Sequence, residues 1–267
     1  MESDDTSRFL CSVIALYDFR RKARKKDIIY NRVLDWFSTI KCPPDKLGLG
    51  GKGFSPKVLD FGKQQKMLAA KGFDILTDFE VYSVGPAYSD KTQGYQAAAC
   101  FSFDDAVYSY IVVNKRIVSL SELHQGLIND LVTLLLPSYG IGYYRPFHQG
   151  PGYYAIGLSK GLSLSGEGYE EALRISRWGD IGLEKKVYNK GCLRDVYPLN
   201  YLSQSQLGIE VEGLELREWI RREPKRGKLI PLVDEIMLWE LEDCELNIIQ
   251  SILQKNQAIF DPDMWMN

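Results

Sequence analysis

The sequence predicts an α+β fold, with antiparallel sheets, helices packed on one face and two lobes. Three observations predict it. Strand-like and helix-like stretches alternate without the steady βαβ rhythm that builds a parallel sheet. With 45% hydrophobic and 25% charged residues over 267 positions, the chain has enough apolar material for a large core, which excludes a disordered or fibrous protein. Its 11 Pro and 23 Gly are too few for a protein dominated by linkers. The expected boundary lies near residues 158–168, giving an N-terminal lobe over 1–160 and a C-terminal lobe over 161–267, or else one continuous domain.

In chain order, residues 9–17 form an apolar run rich in strand formers, followed by a charged turn. Ile28, Ile29, Val33, Leu34, Trp36, Phe37 and Ile40 recur at helical spacing behind Asp27, and Cys42-Pro43-Pro44 stops that helix. A Gly-rich loop is expected up to Pro56, then a short polar helix over 63–70 closed by Gly72. Strands follow over 73–84, 94–103 and 106–113. Ser119 and Glu122 form a capping box for a helix carrying Leu120, Leu123, Leu127, Ile128, Leu131 and Leu135, which Pro137 ends. Strands are expected over 141–144 and 152–158, and helices over 170–178 and 214–222. Residues 228–233 and 236–241 read as paired strands, and 244–255 as a last helix.

The 33 Lys and Arg against 35 Asp and Glu leave a formal charge of -2, unlike the positive excess of a dedicated nucleic-acid binder. The start, with Glu2, Asp4 and Asp5 ahead of the first apolar run, lacks the positive region of a secretory signal. No stretch resembles a membrane span, so a cytoplasmic protein with no membrane partner is expected. The five cysteines, Cys11, Cys42, Cys100, Cys192 and Cys244, include no C-x-x-C pair. They read as small buried hydrophobes, and neither metal nor cofactor is expected.

Two motifs invite a chemical reading. Gly48-Leu49-Gly50-Gly51-Lys52-Gly53 fits G-x-G-x-x-G, but with Cys-Pro-Pro before it and Phe54-Ser55-Pro56 after it, a flexible surface loop is expected. Gly157-Leu158-Ser159-Lys160-Gly161 matches G-x-S-x-G behind an apolar run, yet both histidines, His124 and His148, precede the serine, against the chain order of a hydrolase. His124 reads as structural. His148 sits in an aromatic, Gly-rich loop where a functional contact is conceivable.

Charge is unevenly distributed. Six of the seven residues from Arg20 to Lys26 are basic, a solvated turn or a phosphate contact. Across residues 231–267 eight carboxylates face only Lys255, a net -7, and an acidic surface steers basic partners. The expected partner-binding residues are therefore Phe147, His148, Tyr153 and Tyr154 as aromatic anchors, with Glu240, Glu242, Asp243 and Glu245 supplying the field.

Residues 148–161 (HQGPGYYAIGLSKG), 193–203 (LRDVYPLNYLS) and the ending in which Leu216-Arg217-Glu218-Trp219-Ile220 leads to Leu238-Trp239 and a final helix resemble a family of bacterial immunity proteins. That family, formerly a domain of unknown function, accompanies toxins of type VI secretion and polymorphic-toxin systems. The resemblance implies a protein that binds a cognate toxin, often a nuclease, and occludes its active site; it carries over no catalytic residue. By their own chemistry, Arg194 and Asp195 read as bonding backbone, Pro198 as setting a turn and Asn200 as capping a helix begun by Tyr201-Leu202. The rival readings are a hydrolase or transferase using Ser159 or His148, and a nucleic-acid-binding module built on the basic turn.

Overall fold

The first apolar run lies inside the sheet, at its centre. The computed structural model describes residues 10–20, 26–55, 57–84, 94–104, 106–159 and 167–265. Its first half comprises β1 (Leu10–Phe19), α1 (Lys26–Thr39), β2 (Lys46–Gly51), β3 (Leu59–Asp60), α2 (Phe61–Lys71), β4 (Leu76–Ser83), β5 (Ala97–Ser102), β6 (Tyr108–Asn114), α3 (Leu120–Leu123), a π turn (His124–Ile128), α4 (Asn129–Leu135) and β7 (Pro137–Pro146). There follow α5 (Pro151–Ala155), α6 (Glu167–Arg177), β8 (Leu199–Leu202), α7 (Gln204–Leu207), β9 (Glu210–Val211), β10 (Leu214–Glu215), α8 (Leu216–Arg222), β11 (Lys228–Pro231), β12 (Met237–Glu240), α9 (Asp243–Lys255) and α10 (Pro262–Trp265).

Ten strands form one antiparallel sheet in the order β11-β12-β8-β7-β1-β6-β5-β4-β2-β3, beside a small β9–β10 hairpin. The α+β class with an antiparallel sheet is as the sequence predicts. The helices, however, cover both faces rather than one. Ile14 and Leu16 of β1 point into a core with Val33, Trp36 and Phe37 of α1 and Leu123, Leu127 and Leu131 of the helical run. Val13, Ala15 and Tyr17 point the other way, into a core with Trp178, Tyr188, Trp219 and Leu253. The physical reason is legible in β1 itself, whose unbroken Val-Ile-Ala-Leu-Tyr run suits a strand buried on both sides. The sheet also continues across the boundary expected at 158–168, since β7 pairs with β8 and β8 with β12.

Local signals are realised where they close on near neighbours. Asp60 accepts from Lys63 N at 3.1 Å to start α2, and Ser119 and Glu122 form the expected capping box. Leu136, at φ 49, ends the helix before Pro137. Three expectations are corrected. The Gly-rich stretch is strand β2, paired with β4, because Gly50 leaves room for the Asp78 carboxylate that lies over it: a Cβ there would stand 1.8 Å from Asp78 Oδ2. Residues 152–158 begin as helix α5 and not as a strand; Gly150 at φ 61 turns the chain and Pro151 presets the first helical turn. Asn200 caps no helix. It is buried in β8, with Oδ1 accepting from Tyr197 N and Nδ2 donating to Tyr197 O, while Ser203 and Gln206 form the capping box of α7.

Asp18 joins the end of β1 to the second layer. At φ 53 it leaves the strand register, and its carboxylate accepts from Lys186 Nζ at 2.7 Å and Asn189 Nδ2 at 2.8 Å. Burial opposes its charge, but the bonds from Lys186, Asn189 and Ser138 outweigh burial and hold the carboxyl below its ordinary 3.8. A carboxyl depressed in the folded state adds stability above its unfolded pKa and loses that contribution as pH falls through the folded value. Asp18→Asn is therefore expected to lower the melting temperature at pH 7 and to have a much smaller effect near pH 2, as measured by thermal denaturation across that range.

Candidate functional site

The four carboxylates of the expected partner face do converge. Glu240 ends β12 opposite Lys228 of β11 and Leu199 of β8. Two residues later the chain turns into α9 through a third capping box, in which Glu242 N donates to Glu245 Oε2 at 3.2 Å. Together Glu240, Glu242, Asp243 and Glu245 line an open cleft of about 410 Å³, with Lys228 the one cation among its described lining residues. Glu242 and Glu245 thus have a structural task as well as a surface charge.

The aromatic anchors lie elsewhere. Glu240 follows Trp239, which belongs to the second core, so strand alternation places Glu240 on the first face. Phe147 and Tyr154 pack against the second core, and the sheet therefore separates them from the acids. Phe147 meets Tyr95 edge to face with ring centroids 5.0 Å apart. The ring of Tyr154 is flanked by the guanidinium groups of Arg145 at 4.4 Å and Arg194 at 4.1 Å, and its hydroxyl lies 2.8 Å from that of Tyr197. Only His148 and Tyr153 of this group are exposed. The two sets are distinct surfaces, not one.

Asp195 bonds neighbouring backbone as expected, whereas Arg194 fastens backbone across the fold. The Arg194 guanidinium donates to Tyr154 O at 2.7 Å, to Ala155 O at 3.1 Å and to the Tyr17 hydroxyl at 3.4 Å, and it stacks near Trp178. Burial pushes the Tyr17 hydroxyl up to about 12 despite the neighbouring cation, so Tyr17 stays neutral and its oxygen serves as an acceptor. Asp195 accepts from its neighbour Val196 N at 2.9 Å and from Gln250 Nε2 of α9 at 2.6 Å, and faces Arg174 of α6.

Ser159 is exposed and follows α5, not a strand, so the strand-to-helix context of a nucleophile elbow does not precede it; Lys160 and Gly161 lie outside the described residues. Gly157, at φ 78, serves packing: a Cβ there would lie 2.2 Å from Gly179 Cα. His124 is partly buried, with Nδ1 2.9 Å from the Tyr201 hydroxyl, and burial lowers its pKa. Cys11, Cys42, Cys100 and Cys192 are buried and Cys244 is exposed. Burial raises Cys11 and Cys192 to about 12, which keeps them as thiols. Among the described residues no group of three His, Cys, Asp or Glu is placed to hold a metal, and no helix is long and apolar enough to cross a membrane. Of the basic run, residues 21–25 lie outside the described residues, while Lys26 Nζ donates to Leu76 O at 2.6 Å.

This architecture has a solved counterpart. The Pseudomonas aeruginosa T6SS protein PA0821 has a similar fold, with a TM-score of 0.57 and 12% sequence identity over 93% of this chain and 73% of that one. No protein-family model matches the chain, and no curated protein matches it. One polar set escaped the sequence reading: Asp78, Glu80 and Tyr82, at alternate positions of β4 with Phe79 and Val81 buried between them. Their period of two is the signal that could have shown them on one face.

Arg194→Ala is expected to lower stability by about 2 to 4 kcal/mol, because three buried acceptors lose a charged donor. Denaturant melts test this, and an unchanged midpoint would remove the anchoring role. Gly157→Ala, which meets backbone and needs a positive φ, is expected to cost about 1 to 3 kcal/mol by the same measurement, with Ser159→Ala nearly neutral.

Proposed function

We propose that the chain is an immunity protein, a binder that neutralises a cognate antibacterial toxin of a type VI secretion system by occluding its active site. The observation that carries this reading is the open cleft in which four carboxylates gather around one lysine. Such a surface suits an enzyme whose own cleft is basic, as in nucleases and other effectors acting on phosphate-bearing substrates in the cytoplasm, because each carboxylate can take the place of a phosphate. The resemblance over residues 148–161 and 193–203 supports it, as does a fold like that of a T6SS protein. In this reading the chain works without cofactor or turnover, is cytoplasmic, and has a protein and not a nucleic acid as its partner. His148 and Tyr153 form a second, smaller contact on the opposite face.

Co-expression tests the function. A toxin encoded beside this chain should kill the host cell when expressed alone and fail to kill when the chain is present; unaltered killing would reject the reading. Reversal of Glu240 and Asp243 to Lys, which leaves the Glu242–Glu245 capping pair in place, is expected to slow association several-fold and flatten its salt dependence. Stopped-flow association at low and high salt measures this, and identical rates would make the cleft a solubility feature.

A further inference from the structure

The acidic cleft is joined to the interior of the fold by a histidine. His124 opens the π turn, and its backbone N–H donates to the carbonyls of Leu120 and Ser121, the two residues that α3 gives to the cleft wall. Its half-buried ring reaches down to the sheet, where Nδ1 lies 2.9 Å from the hydroxyl of Tyr201 with the ring centroids 5.7 Å apart. Tyr201 is fully buried in β8. It pairs with Leu238 of β12 while Leu199 pairs with Glu240, so Tyr201 and Glu240 are diagonal neighbours on one face, a spacing that aromatic and long side chains bridge. Burial first, and the Glu240 carboxylate second, hold the Tyr201 hydroxyl well above its ordinary range.

A buried phenol needs an acceptor for its proton, and His124 is the one hydrogen-bond partner of the Tyr201 hydroxyl among the described residues. Tyr201 therefore donates to Nδ1, and neutral His124 carries its proton on Nε2. A proton taken up from solvent goes to Nδ1. The imidazolium then donates to the Tyr201 oxygen, whose O–H bond stays intact and turns to another acceptor, and Glu240 is the carboxylate on that face. The other charged groups around the turn are engaged elsewhere. Glu122 on its own helix bonds Ser119, Asp130 of α4 faces Arg32 of α1 at 3.9 Å, Tyr144 of β7 lies under Lys115 at 4.2 Å, and Lys228 of β11 stands opposite Glu240. From α1, Trp36 meets the turn at Gly126.

We infer that His124 makes the cleft responsive to pH: once protonated, it turns the Tyr201 hydroxyl onto Glu240 from within and weakens the acidic field that a basic partner meets. Burial lowers His124 below its ordinary 6.5, which puts the change in acid solution. The inference rests on the reading of the cleft as the partner face for its biological meaning, while the coupling itself belongs to the chain alone.

Imidazole nitrogen-15 and glutamate carboxyl carbon-13 spectra of the intact chain, recorded from about pH 7.5 down to about pH 4.5, test it without a toxin. At neutral pH His124 is expected as the Nε2–H tautomer. The Glu240 carboxyl is expected to show a second inflection at the His124 midpoint, lost in Tyr201→Phe and in His124→Gln. An Nδ1–H tautomer at neutral pH would overturn the inference, because Tyr201 would already be the acceptor. So would a Glu240 carboxyl that titrates in a single step, or a second inflection that survives Tyr201→Phe. The tautomer and the wild-type titration need no variant, so the test holds even where Tyr201→Phe fails to fold. Failure here leaves the co-expression result standing, and failure of protection leaves this coupling standing.

Discussion

A buried guanidinium with no carboxylate partner among the described residues organises the second layer of this protein. Arg194 has to be satisfied by backbone carbonyls, a neutral phenol and aromatic faces, since an unpaired buried charge is among the costliest features a fold can carry. That requirement fixes where α5 ends, because two of its carbonyls are the acceptors. It fixes the rotamer of Tyr17 in the central strand, whose hydroxyl also donates to Ala155 O at 2.8 Å. Trp178 and Tyr188 then pack on Tyr17 with centroids 6.3 and 5.9 Å away, and Arg194 N donates to the hydroxyl of Tyr139 on the neighbouring strand at 3.0 Å. The tyrosine-rich second core differs in kind from the aliphatic first one because it has to solvate a cation.

Much of the fold was legible in sequence wherever a signal and its partner were close together. The Ser119–Glu122 cap, the Lys228–Glu240 hairpin and the helical face of α1 all rest on contacts within a few residues or one hairpin. What escaped depended on distant partners. Gly50 in β2 is tolerated because Asp78, on another strand, occupies the space over it; Asn200 is a strand residue because its amide also reaches Trp239 O. The acids of the C-terminal third were found by charge counting, and their convergence in one cleft followed from it. Their separation from the aromatic loop did not, because charge counts and loop composition carry no record of which side of a sheet a residue occupies. The pair Glu242 and Glu245 nevertheless had a readable spacing of three ahead of an apolar run, the signature of a helix start.

The two faces of the sheet differ in how they are covered. The first is packed by α1, α2 and the α3–α4 run, and opens into the acidic cleft only at the β8–β12 end. The second is covered over β1, β6 and β7 by the second core and is polar at β4, so that a buried face and a polar face share the same strands. In β4 the alternation does both at once: Phe79 and Val81 face the first core, while Asp78, Glu80 and Tyr82 face the other way. A surface mounted on sheet rows keeps its spacing when loops move, which favours recognition with little reordering on contact.

The Asp18 clamp has a bearing on the order in which this molecule can assemble. The carboxylate and its lysine are 168 positions apart, and Tyr17 and Arg194 are 177 apart, so the central strand is completed by segments that leave the ribosome long after it. Contacts of such sequence separation carry a large loop-closure cost and form late. Until they do, β1 can already be flanked by β6 and β7, but its second face is uncovered, and exposed apolar surface of that kind favours misassociation. A chain whose middle strand waits for its last third keeps that strand's second face open to solvent until synthesis has passed Arg194.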